Sequence, residues 1–164
     1  MIDPKELKLL ASDRRKEFRE LFRILKRRKP KNLDMLTHDL HNEVFGRLDC
    51  LDCANCCKSI SPMITDKDIQ RISSGLKMKP SEFTEKYLDL DEEQDYVFKN
   101  SPCPFLMSDN YCSIYEIRPK ACREYPHTDR KRFVQILDLT LKNTATCPAV
   151  FEVVEGLKRE FGKG

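Results

Sequence analysis

Half of the eight cysteines in this 164-residue chain lie within one short segment, and this density constrains the fold more than any other feature. The segment reads CLDCANCC over residues 50–57. Thiols gathered at such short spacing are typical of metal sites, disulfide frameworks or redox centres. All eight cysteines are therefore candidate metal ligands: Cys50, Cys53, Cys56, Cys57, Cys103, Cys112, Cys122 and Cys147.

The amino-terminal residues carry charges throughout and contain no apolar run of the length that a signal peptide needs. The longest uncharged stretch is also much too short to span a bilayer. We therefore expect a cytoplasmic protein without a membrane segment. In a reducing cytoplasm, closely spaced thiols are more often metal ligands or redox centres than disulfides. The sequence thus predicts metal binding, with a set of disulfides as the alternative.

The composition favours helices joined by proline-marked turns, since the chain has nine Pro, five Gly and no Trp. We predict a mainly α fold with a small β element. Residues 49–164 should form a single irregular domain organised around cysteine-ligated metal. An N-terminal helical hairpin over residues 1–48 should precede it.

Two amphipathic helices are predicted for the hairpin. The first runs from residue 4 to about residue 29, with Asp3 as its N-cap and Pro4 in its first turn. The second runs over residues 33–48, with Asn32 as its N-cap. Apolar residues recur at three-four spacing on one face of each helix: Leu7, Leu10, Ala11, Phe18, Leu21, Phe22 and Leu25 in the first, and Leu33, Leu36, Leu40, Val44 and Leu48 in the second.

The cysteine segment is followed by alternating short elements. We predict an extended segment over residues 60–65, then a helix that Thr65 caps and Gly75 ends. A further helix is predicted over residues 80–88. An acidic loop, DLDEEQD over residues 89–95, comes next.

Residues 95–100 have the composition of a strand, and we predict that they pair with residues 104–115 across a turn at SDN. The proline-bounded segment RPKACREYP, residues 118–126, is predicted to be irregular. Residues 129–142 fit both helical and strand spacing, and we favour a helix capped by Thr128 or Asp129. The last helix begins at Pro148, and its inward residues are Val150, Val153, Val154, Leu157 and Phe161.

Three closely spaced cysteines plus a remote Cys-Pro are typical of loops that hold cubane iron–sulfur clusters. Cys50, Cys53 and Cys56 supply the first three thiols, and Cys103 and Cys147 are each followed by proline. Zinc ribbons and fingers instead use two separated pairs of ligands. An iron–sulfur cluster of the [4Fe-4S] type is our first choice, and zinc is the alternative because thiolates suit both metals.

The adjacent thiols of Cys56 and Cys57 leave the number of sites open. Neighbouring side chains usually diverge, so one thiol could serve a first site and the other a second. Eight cysteines would then make two four-thiolate sites, or one cluster with a separate metal or redox pair. Nearby cations could offset the negative charge of such sites: Lys58, Arg118, Lys120 and Arg123.

Basic charge is concentrated near the N-terminus, where residues 1–48 carry thirteen Lys and Arg against eight Asp and Glu. The excess is sharpest in RILKRRKPK, residues 23–31. Such a cluster could contact phosphates or an acidic partner. The sequence alone favours a solvated helix face whose basic last turn suits the helix dipole. Nucleic acid is not expected, since no aromatic base-stacking motif accompanies the charge, and a protein partner at these helices is the alternative.

The cysteines and their neighbours resemble the CxxCxxCC family of zinc- or iron-chelating proteins, also called the YkgJ-type cysteine-cluster family. The likeness rests on CLDCANCC, CPFL, CSIYEIRPKACREYP and CPAV, and it includes all eight cysteines. It implies a cytoplasmic, bacterial protein that binds metal, with the reaction left open. A flagellin lysine methylase is similar in its cysteine cluster, but this chain has no recognisable S-adenosylmethionine motif.

Several other side chains have two interpretations. Arg118 could hydrogen-bond thiolate sulfurs, although a role in fixing the loop that delivers Cys122 is favoured. His127 could be a ninth ligand or a proton-transfer group, although a structural hydrogen bond is favoured. His38 and His41 lie three residues apart on a predicted helix with no third ligand there, which favours a solvated or interfacial pair.

Three hypotheses for function follow from the sequence. The first is a cysteine-rich metal-binding protein whose iron–sulfur cluster carries electrons or supports the fold. The second is a zinc-stapled module whose basic N-terminal helices bind a protein partner. The third is a modifying enzyme related to cluster-containing protein lysine methylases, although no catalytic residue can be named.

Overall fold

Two segments that are far apart in the sequence fold together, while the residues between them form a second unit. The computed structural model describes residues 2–162, so the outermost residues of the predicted domains, 1 and 163–164, lie outside the described residues. The first unit, here called the flanking unit, contains the residues up to Cys50 and those from Pro126 onward. The second, the central unit, is Leu51–Tyr125. The separation into domains 1–48 and 49–164 is not tested by this packing and stays a prediction.

The predicted fold class, mainly α with a small β element, is confirmed. None of the helices in the described part of the chain is both long and apolar enough to cross a membrane. The helices and strands are, in chain order, α1 (Pro4–Arg28), α2 (Leu33–Phe45), α3 (Cys50–Cys53), α4 (Asn55–Ser59), β1 (Met63–Ile64), α5 (Asp66–Gly75), α6 (Pro80–Tyr87), β2 (Leu88–Leu90), β3 (Tyr96–Phe98), α7 (Lys120–Glu124), α8 (Leu137–Asn143) and α9 (Pro148–Phe161).

Helix α9 lies at the centre of the flanking unit. Helices α1 and α2 both pack against it, a partner that the predicted hairpin did not include. The Asp3 carboxylate caps α1 as predicted, accepting a hydrogen bond of 2.8 Å from the N–H of Lys5. Gly156 allows α2 and α9 to approach closely, since a Cβ there would lie 2.7 Å from Cδ2 of Leu40. The core of this unit contains side chains with no exposed surface: Leu7, Phe18, Leu25, Phe133, Leu137, Val150, Val153, Val154 and Leu157.

The helix predicted over residues 129–142 is wrong at its start. A 3₁₀ turn spans Phe133–Ile136 and α8 follows it, so neither Thr128 nor Asp129 is an N-cap. The reason is that the Asp34 carboxylate accepts hydrogen bonds from the N–H groups of Arg132 and Phe133, at 2.7 and 2.9 Å. These bonds hold the chain in a turn before the helix can begin.

The strands of the central unit form one antiparallel sheet in the order β1-β3-β2. The predicted pairing of residues 95–100 with residues 104–115 is therefore wrong. The hairpin instead joins β2 to β3, because Oδ1 of Asp91 accepts hydrogen bonds from the N–H groups of Glu93 and Asp95, both at 2.9 Å. This Asx-type turn closes the predicted acidic loop.

Thr65 is the N-cap of α5, as predicted, and it forms a capping box with Asp68. The Thr65 hydroxyl accepts a hydrogen bond from the N–H of Asp68, and the Asp68 carboxylate accepts one from the N–H of Thr65. The predicted irregular segment 118–126 is wrong in part, since it contains α7. Pro119 stands directly before this short helix, where its fixed φ suits a helix start.

Candidate metal centre

The backbone holds Cys57 and Cys103 together. Cys57 lies in α4, and its carbonyl accepts a hydrogen bond of 2.8 Å from the N–H of Cys103. The hydroxyl of Ser101 also donates to the carbonyl of Lys58 at 3.0 Å. These two bonds fasten the loop that carries Cys103 to α4, so two cysteines far apart in the sequence become neighbours.

A tight turn brings Cys112 back beside the loop of Cys103. Leu106 and Cys112 form an antiparallel bridge, and the predicted turn at residues 108–110 lies between them. Asn110 has a φ of 66° in this turn, a left-handed conformation that asparagine adopts more readily than most residues. Cys103 and Cys112 are both half-buried against the apolar core of the central unit.

The carboxylate of Asp68 positions the segment that carries Cys122. Asp68 is 1% exposed, and besides the capping box it accepts hydrogen bonds from the guanidinium of Arg71 at 2.5 Å and from the N–H of Lys120 at 3.0 Å. Lys120 is the first residue of α7, in which Cys122 lies. Sequence reasoning did not name Asp68 for this role, because a capping motif gives no sign of a partner 52 residues later.

Arg71 extends the same support to the loop before α7. Its guanidinium also donates to the carbonyls of Ile117 and Arg118, at 3.4 and 2.8 Å. Burial alone would raise the pKa of Asp68, but the hydrogen bonds that it accepts outweigh this effect and hold that pKa below its usual value. The carboxylate is therefore ionised at neutral pH and stays paired with Arg71.

Three half-buried thiols of the central unit have raised pKa values. Burial raises the pKa of Cys103 to about 11 and that of Cys122 to about 12, and it also raises the pKa of Cys112. The charge of Cys57 adds to the rise at all three, that of Cys112 adds to the rise at Cys103, and those of Cys103 and Cys112 add to the rise at Cys122. Cys103 is hydrogen-bonded to Cys57, Cys112 is bridged to the loop of Cys103, and the charge effects extend to Cys122, so these four cysteines are here called the four-thiol group.

Cys57 differs from the rest of this group because its pKa is lowered to about 7. The main cause is a hydrogen bond with the thiol of Cys56, whose sulfur lies 4.0 Å away, and the charge of Lys58 assists it. Burial acts in the opposite direction but does not outweigh them. Cys57 is therefore about half ionised at neutral pH, and the thiolate is the form that binds metal and attacks electrophiles.

We expect Cys57 to be the most rapidly alkylated thiol of the group in reduced, metal-free protein at neutral pH. Its rate with iodoacetamide should reach half of its plateau near pH 7, since only the thiolate reacts. Cys103 and Cys122 should stay slow up to about pH 9. Timed alkylation followed by peptide mass spectrometry measures each rate. In the control variant Cys56→Ala, which removes the hydrogen-bond donor, the Cys57 midpoint should rise. Equal rates at all four thiols would contradict the expectation.

The other four predicted ligands divide between the two units. Cys53 and Cys56 lie in the central unit, whereas Cys50 and Cys147 lie in the flanking unit. The predicted grouping of Cys50, Cys53 and Cys56 stays a prediction. Across residues 2–162, no three His, Cys, Asp or Glu side chains are arranged to hold one metal ion. The four-thiol group is thus gathered without converging on a single point.

Residues 49–148 match a family model named CxxCxxCC, described as a putative zinc- or iron-chelating domain. The chain belongs to the CxxCxxCC family. This confirms the resemblance seen in the sequence, and all eight cysteines lie inside the matched segment. Helices α1 and α2 precede that segment. No solved structure matches the chain.

In this CxxCxxCC protein, Arg118 is a cation whose charge reaches the four-thiol group. Its guanidinium stacks on the ring of Tyr115, 3.8 Å from the centroid, and donates to the Tyr115 carbonyl at 2.6 Å. From this position its charge lowers the pKa values of Cys112 and Cys122, against the larger effect of burial. Arg118 thus combines the two roles considered for it, loop geometry and charge compensation. Lys120, another predicted cation, pairs with Glu124 at 3.6 Å.

The histidines of this CxxCxxCC protein lie in the flanking unit. Nδ1 of His41 lies 2.7 Å from Oγ1 of the buried Thr128, and its ring centroid lies 4.4 Å from that of Phe45. Burial is the main cause of its lowered pKa. The ring of His38 stacks on that of His41 with centroids 6.4 Å apart. The solvated or interfacial pair favoured from the sequence stays a prediction. Metal ligation by His127 stays a prediction.

Proposed function

We propose that the four-thiol group ligates an iron–sulfur cluster of the [4Fe-4S] type through Cys57, Cys103, Cys112 and Cys122. The proposal rests on the spread of these thiols. The N–H of Cys103 bonds to the carbonyl of Cys57 and Cys112 is bridged to the same loop, yet among the described residues no three ligands are arranged around one ion. A cubane places four irons between its thiolates and so needs them farther apart than a single tetrahedral ion does. The chemistry that such a cluster supplies is one-electron transfer.

Zinc is the second candidate, and the adjacent pair Cys56 and Cys57 favours it. Their sulfurs lie 4.0 Å apart. Two thiolates on one tetrahedral ion, with bonds of about 2.3 Å, are separated by about 3.8 Å. The side chains of Cys56 and Cys57 therefore do not point apart. The prediction that they serve separate sites assumed that they would. A zinc ion held by them would be a structural staple, and the function would then lie with a protein partner.

Either metal requires thiols that are kept reduced. Cys53, Cys57, Cys103, Cys112 and Cys122 carry thiols and not disulfides in the structure. Metal binding through them is therefore compatible with a reducing compartment, and we extend the proposal to a cytoplasmic location.

The test is to purify the protein without oxygen and to measure iron, zinc and acid-labile sulfide per chain, together with the visible spectrum. We expect about four iron and four sulfide per chain, with broad visible absorption that dithionite bleaches. Zinc without sulfide would overturn the cluster and support the staple. Neither metal, with fewer than eight reactive thiols per chain, would overturn both candidates in favour of oxidised cysteines.

A further inference from the structure

Helix α1 keeps its acidic residues off one flank of its buried apolar stripe. With about 100° between successive residues, one flank contains basic residues and no acidic ones: Lys5, Lys8, Arg15, Lys16, Arg19, Arg23, Lys26 and Arg27. We call these eight residues the basic row, and all of them are exposed. The acidic residues of the helix occupy the other flank: Glu6, Asp13, Glu17 and Glu20.

The acidic flank is engaged within the flanking unit. Glu17 pairs with Lys158 of α9, and beside it Arg14 pairs with Glu155 of the same helix at 3.4 Å. These two ion pairs link α1 to α9. The acidic flank therefore has a structural role that needs no partner molecule.

The basic row, in contrast, makes few intramolecular contacts. Lys26 pairs with Asp138 at 2.7 Å, and Arg23 pairs with Glu20 at 2.6 Å on its own helix. The other six members make no ion pair with any residue from 2 to 162. Residues 1–31 carry twelve Lys and Arg against five Asp and Glu, a net charge of +7 in a chain of net charge +3. The fold thus leaves most of this positive charge uncompensated.

The spacing of the row suits a linear polyanion. Arg15, Arg19, Arg23 and Arg27 follow at intervals of four residues, so that, at 1.5 Å per residue, their Cα atoms rise along the helix by steps of about 6 Å. From Lys8 to Arg27 the row is about 28 Å long. A duplex presents one phosphate per strand about every 3.4 Å of its axis, so a rod of this length can lie along several phosphates at once.

The chemistry of the row favours phosphates over a membrane or a protein. A membrane-bound amphipathic helix inserts its apolar face, but the apolar stripe of α1 is buried in the core. Specific protein interfaces centre on aromatic or aliphatic anchors, whereas the row itself contains none, and no aromatic side chain of α1 is exposed. Sequence-independent binding to nucleic acid needs mainly Lys and Arg at phosphates.

We infer that the basic row of α1 is a docking surface for the phosphate backbone of a duplex nucleic acid, which it binds without reading the base sequence. The sequence alone favoured a solvated helix face. The folded chain adds a flank without acidic residues, on which six of the eight cations make no ion pair with residues 2–162. This inference does not rest on the metal proposed for the cysteines.

The test measures binding of the full chain to fluorescein-labelled duplexes of about 20 base pairs, one DNA and one RNA, by fluorescence anisotropy between about 50 and 200 mM KCl. We expect dissociation constants of about 10⁻⁶ to 10⁻⁴ M that weaken steeply with salt. The variant Arg15→Gln/Arg19→Gln/Arg23→Gln removes three cations, so the slope of log K against log salt should fall by about three. A difference between the DNA and RNA arms would identify the duplex that the row prefers.

The matched control is Lys67→Gln/Lys77→Gln/Arg130→Gln, which removes the same charge from exposed positions outside the row. It should change the salt slope by less than one, and both triple variants should keep the circular dichroism of the wild type. Equal losses in the two variants would overturn the inference in favour of general charge attraction. Failure to bind either duplex at the lowest salt would also overturn it. Polyglutamate that displaces the duplex at equal charge concentration would assign the row to an acidic protein instead.

Discussion

Replacing Cys122 by serine is expected to lower the metal affinity of the four-thiol group by at least about a hundredfold. Mutating a residue that hydrogen-bonds a metal ligand already lowers metal affinity about 10- to 100-fold. Here a proposed ligand itself is lost. Serine keeps the size of the side chain but supplies no thiolate. Metal per chain after anaerobic gel filtration, together with the visible spectrum, measures the effect.

The comparison variant is Cys53→Ser. Cys53 lies in the same unit but outside the four-thiol group, so this variant should keep the metal of that group. The opposite pattern, with metal lost in Cys53→Ser and kept in Cys122→Ser, would favour the grouping of Cys50, Cys53 and Cys56 read from the sequence. It would also overturn the ligand set proposed here.

Asp68→Ala is expected to lower the free energy of unfolding by about 3 kcal/mol. The substitution leaves the guanidinium of Arg71 and the N–H groups of Thr65 and Lys120 without the acceptor that they share. Because Lys120 begins the helix that holds Cys122, metal affinity should also fall by about tenfold. Urea denaturation of metal-free protein and chelator competition of the metal-bound form measure the two effects.

Asp66→Ala is the matched control, since Asp66 is an exposed carboxylate in the same first turn of α5. Its loss should cost less than about 1 kcal/mol, the usual value of a charge at a helix N-terminus. Equal destabilisation by the two variants would show that Asp68 acts only through the helix and not through α7.

The ionisation of Asp68 adds a pH dependence with a defined sign. Its pKa is lowered in the folded chain, so its stabilising contribution is fully present above the unfolded value of about 3.9. The contribution is lost as the pH falls through the lower, folded value. The stability difference between wild type and Asp68→Ala should therefore stay constant from neutral pH to about pH 5 and shrink only in stronger acid.

Local signals in the sequence predicted the starts of helices well. The N-cap at Asp3, the capping box at Thr65 and the proline at Pro148 each act within a single helical turn, so neighbouring residues contain the whole signal. The family resemblance was equally local, since it rests on the spacing of the cysteines and the residues beside them, and it is confirmed.

Pairings between distant segments could not be predicted in the same way. Strand β3 pairs with β1 and β2 because their registers and the Asp91 turn fit together, and the composition of residues 95–100 does not specify a partner. The sequence similarly predicted that Thr65 caps α5, but neither the part of Asp68 in that cap nor its bond to Lys120. The four-thiol group depends on such long-range bonds. The sequence could therefore name eight candidate ligands but could not say which of them share a site.

The interrupted order of the flanking unit has a consequence for synthesis on the ribosome. Helices α1 and α2 are translated first, but α9, against which both pack, is made last. At about 5–20 residues per second, roughly ten seconds separate the end of α2 from the completion of α9. During this interval the apolar stripe of α1 lacks α9, while residues 51–125 of the central unit are all translated before α9 begins. The central unit can therefore begin to fold while the flanking unit still lacks α9, and the core of the flanking unit cannot be completed until translation has passed Phe161.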